Sequence, residues 1–186
     1  MIETLISSKT RVKLLLRFFL NSNSTAYLRG LESEMGESSN SIRLELNRFE
    51  KAGMLTPFVQ GNKKIFAANT NHPLYKDVHN IILKYVGLDQ IIEKVIERLG
   101  QVNRVYLTGP MAKGIDNDVI DLIFVGNINK VYLIELIDRA EKLIKRKVRY
   151  LSYTLEEFEP EVVNQTDYLL LWENENDDYG SIPGAD

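Results

Sequence analysis

Apolar residues over the first fifty positions recur three and four apart, the period of a helix with one buried face. In 9–21, Val12, Leu15, Leu16, Phe19 and Leu20 fall on one side. Ser7 and Ser8 stand ready as N-caps, and Asn21-Ser22-Asn23-Ser24 closes the segment. Leu28, Leu31 and Met35 predict a shorter helix over 26–35, ended by Gly36 in the left-handed conformation that terminates many helices. Ser38-Ser39-Asn40-Ser41 opens a third helix with Ile42, Leu46 and Phe49 as its buried stripe, closing at Ala52-Gly53. The period then shortens. Residues 55–58 and 64–68 read as two strands around Gln60-Gly61-Asn62-Lys63, where Asn and Gly suit a tight turn.

Helical spacing returns over 74–99. Leu74, Val78, Ile81, Ile82 and Tyr85 form one stripe; Ile91, Val95, Ile96 and Leu99 form another beyond Gly87, and Gly100 ends the segment. From Val102 the pattern alternates: strands at 102–108, 119–125 and 147–153, a helix at 130–145, and a short element at 167–172. The expected fold class is α+β, with units at 1–72 and 101–174, connecting or dimerisation helices over 73–100, and a polar, acidic tail at 175–186 expected to be disordered.

Composition narrows the function classes. Hydrophobic residues at 44% and charged residues at 26% describe a globular chain. No apolar run approaches the ~18 residues of a membrane-spanning helix, so no membrane partner is expected. The start of the chain has no basic region followed by an apolar stretch, which leaves the cytoplasm as the expected compartment. Cysteine is absent, which excludes disulfides, thiolate nucleophiles and Cys-based zinc sites. His72 and His79 do not stand in a metal-ligand spacing and read as packing or surface residues. The net charge of −3 is uneven: residues 1–72 carry ten Lys/Arg against six Asp/Glu, and the remainder thirteen against twenty. A basic first part beside an acidic second part suggests two modules with different partners.

A helix entering the major groove of DNA needs short polar side chains near its N-terminus, where backbone and base edges come close. Ser38, Ser39, Asn40 and Ser41 supply them, and Arg43 and Asn47 lie four apart on the polar face opposite Ile42, Leu46 and Phe49. Arg can pair bidentately with guanine and Asn with adenine. Lys63 and Lys64, with Gln60 and Asn62 beside them, sit at the hairpin tip to meet phosphate, and Lys9, Arg11 and Lys13 could touch the backbone. The stretch LRGLESEMGESSNSIRLELNRFEKAGML, closing on Leu46-Asn47-Arg48-Phe49-Glu50-Lys51-Ala52-Gly53-Met54-Leu55, resembles winged helix-turn-helix regulators of the ArsR/MarR type over about residues 9–69. That resemblance implies an N-terminal winged helix-turn-helix domain that binds double-stranded DNA.

Residues 105–125, VYLTGPMAKGIDNDVIDLIFV, resemble the small nucleotidyltransferases of the polymerase-β type. In that family a Gly-Ser turn holds the triphosphate, and two carboxylates two apart on one strand hold magnesium with a third from the next strand. Gly109 matches the turn, but Pro110 replaces its Ser. Ala112-Lys113-Gly114 stands for Ala–Arg–Gly, and Asp121 keeps the second carboxylate while Val119 occupies the first. KVRYLSYT, where the third should fall, contains no acid. The resemblance therefore implies a small α/β nucleotidyltransferase-like domain with a vestigial nucleotide site of Gly109, Lys113 and Asp121, and no catalytic or metal residues. Asp121 alone could keep a metal contact.

The expected function is a DNA-binding transcriptional regulator whose second domain is a pseudoenzyme used for ligand sensing or oligomerisation. Its expected partners are double-stranded DNA, a second copy paired through 74–85, and a nucleotide-like effector, with no cofactor. Two alternatives stay open. One is an active magnesium-dependent nucleotidyltransferase with Asp116, Asp118 and Asp121 as ligands, the one case requiring magnesium and nucleotide. The other is an antitoxin-type interaction protein that binds a partner chain through the 78–99 stripe.

Overall fold

The computed structural model describes residues 6–164 and 167–174, so the expectation for the 175–186 tail lies outside the described residues. Contacts divide the chain into two units, Met1–Gly87 with Lys113–Asp116, and Leu88–Ala112 with Asn117–Asp186. The expected connecting region over 73–100 is split at Gly87, whose left-handed φ of 86° caps the helix before it.

The first unit is built around α1 (Lys9–Phe19), whose Ser8 cap accepts a hydrogen bond from the Arg11 backbone N–H. Leu14, Leu16, Phe18 and Phe19 are essentially inaccessible, so α1 is buried on more sides than the expected single stripe. A helix enclosed all round is a central element, and each buried Phe contributes roughly 1.5–3 kcal/mol of transfer free energy. The chain continues through β1 (Thr25–Tyr27), α2 (Leu28–Met35), α3 (Ser39–Lys51), β2 (Leu55–Gln60) and β3 (Lys63–Ala68). Gly36 ends α2 at φ 63°, and Ser38 caps α3 by accepting from Ser41 N–H. The stripe Ile42, Leu46 and Phe49 is buried as expected. The strands form an antiparallel sheet in the order β1-β3-β2, with a two-residue turn at Gly61-Asn62 between paired Gln60 and Lys63. Gly61 takes φ 61°, the positive value that hairpin turns demand and glycine adopts freely.

β1 corrects the expected helix start at residue 26. Its three residues pair with β3 about forty positions on, a non-local contact no local period reports. α4 (Tyr75–Val86) closes the unit with Ile82 and Val86 buried. His79 Nδ1 lies 2.6 Å from the Phe19 carbonyl, and its ring stacks on Tyr75. His72 Nδ1 accepts from Leu74 N–H. Both histidines are therefore structural. Of the expected 74–85 stripe, Leu74 and Ile81 are about half exposed.

The second unit opens with α5 (Leu88–Ile91), a π-helical turn (Ile92–Ile96) and α6 (Glu97–Leu99). It continues through β4 (Val102–Thr108), α7 (Gly109–Ala112), β5 (Val119–Gly126), α8 (Lys130–Ile144), β6 (Lys147–Tyr153), α9 (Glu161–Asn164) and β7 (Tyr168–Glu173). The sheet order is β6-β5-β4-β7. β4 pairs antiparallel with β5 and β7, whereas β5 and β6 run parallel, joined by the crossover helix α8. Leu133, Leu136, Ile137 and Ala140 bury the inner face of α8. A second cluster gathers Tyr106, Ile123, Val125 and Val163 with Tyr153, Phe158 and Tyr168 packed against it. No helix among the described residues is long and apolar enough to cross a membrane.

Candidate functional site

In the first unit, α3 and the β2–β3 hairpin bound a groove of about 570 Å³. Its apolar floor comes from Tyr27, Leu28, Leu46 and Phe66, and its rim carries Arg29, Arg43, Asn47, Asn62, Lys63 and Lys64. Arg43, Asn47, Lys63 and Lys64 were each expected to face DNA from their spacing, and the fold brings them to one concave surface. Arg29, from the first turn of α2, joins them. It had no sequence signal of its own, because its place depends on β1 pairing with β3.

The ion pairs of this unit separate the cations that are internally neutralised from those that are not. Arg11 Nε reaches Glu45 Oε2 at 2.8 Å and Arg48 reaches Glu45 Oε1 at 2.7 Å. Lys13 pairs with Glu37 at 2.7 Å and also donates to the Met35 carbonyl. Arg17, only 8% exposed, is held by Glu34, the Ser24 hydroxyl and the Thr25 carbonyl. Among the described residues up to Ala68, the cations without a salt-bridge partner are Lys9, Arg29, Arg43, Lys51 and Lys63. Three of these five line the groove. Lys63 sits over the Tyr27 ring at 4.2 Å, which orients its ammonium without neutralising it. Lys64 is the exception, held by both Glu50 oxygens at 2.7 and 2.9 Å.

Of the three α1 cations expected to touch the DNA backbone, Arg11 and Lys13 are each paired with an internal carboxylate, while Lys9 has no salt-bridge partner among the described residues. The serines are partly engaged too. Ser38 is engaged as the cap and in a 2.8 Å contact with the Ser41 hydroxyl, and the Ser39 hydroxyl donates to Glu32. Asn40 is exposed at the first turn of α3.

Glu45 is buried at 5% exposure on the helix that bears Arg43 and Asn47. Burial pushes its carboxyl up, but the hydrogen bond and charge of Arg11, with Arg48 and Ser8, outweigh that and hold it below its ordinary value. Lys13, donating to Glu37, holds that carboxyl low as well. These contacts fasten α3 to α1 and fix which face of α3 is presented outward.

In the second unit, Asp121 on β5 lies in register with Arg149 on the parallel strand β6. Arg149 Nε and a terminal nitrogen reach the two Asp121 oxygens at 2.7 and 3.0 Å, a bidentate pair. Gly109 sits beside it at φ 69°, where an added Cβ would meet Asp121 Oδ2 at 2.9 Å. Lys113, expected alongside them, is exposed and groups with the other unit. A magnesium ion needs several oxygen ligands in near-octahedral array. Here Val119 offers none, Asp121 has both oxygens committed to a guanidinium, and the neighbouring strand contributes a cation. These residues do not fit a divalent metal. Among the described residues no group of three or more His, Asp or Glu could hold one. The Arg149 contact was not foreseen, since strand pairing across α8 creates it.

No protein-family profile matches the chain, and no characterised protein matches it in sequence. Among solved structures, a protein from Archaeoglobus fulgidus gives a TM-score of 0.36 at 18% identity, over 44% of this chain and 93% of its own. A chain of the Shewanella oneidensis complex between a tri-AMPylated HEPN toxin and MNT antitoxin gives 0.37 at 17%, over 50% and 74%. A putative nucleotidyltransferase from Sulfolobus solfataricus gives 0.32 at 24%, over 50% and 82%. TM-scores at this level do not establish a shared fold.

Proposed function

We propose that the chain is a DNA-binding regulator. In this reading the first unit is a winged helix: α2 and α3 are its helix-turn-helix, and the β2–β3 hairpin is its wing. α3 enters the major groove with Arg43 and Asn47 toward base edges, while Arg29, Lys63 and, once released, Lys64 meet phosphates. The single observation carrying this reading is the groove, whose lining holds Arg29, Arg43 and Lys63, three of the five cations up to Ala68 with no salt-bridge partner among the described residues, beside two asparagines. The second unit is read as a nucleotidyltransferase-like frame without transfer chemistry, serving ligand sensing or self-association. Its support is the Asp121–Arg149 pair, which puts a fixed positive charge where a magnesium-dependent transferase needs a cation site.

Gel shifts with duplexes from the chain's own upstream region and with random duplex test the reading, using Arg43→Ala and Lys63→Ala as controls. Salt-sensitive binding weakened by both substitutions is expected. No binding to any duplex at low salt would sink the proposal. Incubation with labelled nucleoside triphosphates and magnesium is expected to give no incorporation; incorporation lost in Asp121→Asn would replace the pseudoenzyme reading with an active transferase.

A further inference from the structure

Lys64 differs from the other groove cations. Arg29, Arg43 and Lys63 have no salt-bridge partner among the described residues, whereas the Lys64 ammonium is clasped by both oxygens of Glu50. Glu50 lies in the last turn of α3, so the acid belongs to the helix and the base to the hairpin. Lys64 is 51% and Glu50 31% exposed, so the contact can part without opening the core. A carboxylate presenting two oxygens to an ammonium is chemically close to a phosphate doing the same.

We infer that Glu50 is an intramolecular phosphate mimic that regulates the groove, holding Lys64 until a DNA phosphate displaces it. This rests on the DNA-binding reading of the groove and adds a residue that opposes binding. The exchange breaks one ion pair and forms another, leaving Glu50 as an unpaired anion facing a polyanion. Glu50 thus lowers affinity twice, by competing for Lys64 in the free protein and by repelling DNA in the complex. Exposed pairs of this kind contribute about 0.2–1 kcal/mol, so removing the acid is expected to tighten binding about two- to fivefold. The effect is sequence-independent and greatest at low salt.

Fluorescence anisotropy of the full chain with a random-sequence duplex tests this in four proteins: wild type, Glu50→Gln, Lys64→Ala and the double variant, each first checked for an unchanged circular dichroism melt. Glu50→Gln is expected to bind about two- to fivefold tighter. The gain should shrink in the Lys64→Ala background, where only repulsion remains to be relieved. If wild type binds and Glu50→Gln binds no tighter, or the gain is equal in both backgrounds, the exchange is overturned while the DNA reading stands. Binding by Glu50→Gln alone would support the mimic in its strongest form. If neither protein binds any duplex, both ideas fall.

Discussion

Arg43 on α3 and Arg149 on β6 are both exposed guanidiniums with opposite surroundings. Arg43 has no salt-bridge partner among the described residues and borders a concave surface with Arg29 and Lys63. Arg149, 72% exposed, is locked bidentately to Asp121. The first unit pairs its acids with Arg11, Lys13, Arg17, Arg48 and Lys64, and three of the cations left without a salt-bridge partner among the described residues line one groove. The second spends a cation on the one carboxylate that its resemblance to a transferase singles out. Net charge per half, +4 against −7, hints at this contrast; which charges are internally neutralised defines it.

The largest test of the contrast is Arg43→Ala. Loss of a base-contacting guanidinium is expected to weaken DNA binding by about 1–3 kcal/mol with no change in melting temperature. A fall in stability without a fall in affinity would show Arg43 to be a scaffold residue like Arg11. Glu45→Ala should do the reverse, losing about 2 kcal/mol of stability in denaturant titration because α3 loses its buried clasp to α1. A smaller effect follows from pH. The folded Glu45 carboxyl is held below its ordinary value, so its stabilisation is complete above the usual glutamate range and disappears as pH falls through the lower folded value. Glu45→Gln is therefore expected to flatten the acid limb of the stability–pH curve. Arg149→Ala should have the smallest effect on stability, below that of Glu45→Ala, because the guanidinium is 72% exposed and its attraction to Asp121 is screened by solvent. Added magnesium is expected to leave the wild-type melting temperature unchanged, since Asp121 alone cannot complete a coordination shell.

Most elements were legible in the chain because they depend on local period and punctuation. Ser8 and Ser38 cap where a short polar residue precedes an apolar stripe, Gly36 and Gly61 take positive φ where helix end and turn require it, and the strands at 102–108 and 147–153 fall where expected. What escaped depends on distant partners. β1 is three residues long and exists through β3. Arg29 belongs to the groove because β1 positions the start of α2. Glu45 had no assignment from the sequence; it is buried where Arg11, thirty-four positions earlier, offers it a counterion. Of the expected stripe over 74–85, α4 buries Ile82 and adds Val86, while Leu74 and Ile81 stay about half exposed, since apolar period alone does not choose between two adjacent faces. Arg149 became the partner of Asp121 through parallel pairing across α8, which no spacing within either strand encodes.

The central claim is that the unpaired groove cations Arg29, Arg43 and Lys63 bind phosphate and bases of duplex DNA. Its most direct test is the dependence of log Kd on log salt for the wild type and an Arg29→Ala/Arg43→Ala/Lys63→Ala variant. Each phosphate contact contributes about 0.9 to the slope, so the account predicts a steep wild-type dependence that loses about two units in the triple variant, from Arg29 and Lys63, at unchanged melting temperature. A wild-type slope near zero, or a slope that survives the triple substitution intact, would contradict it.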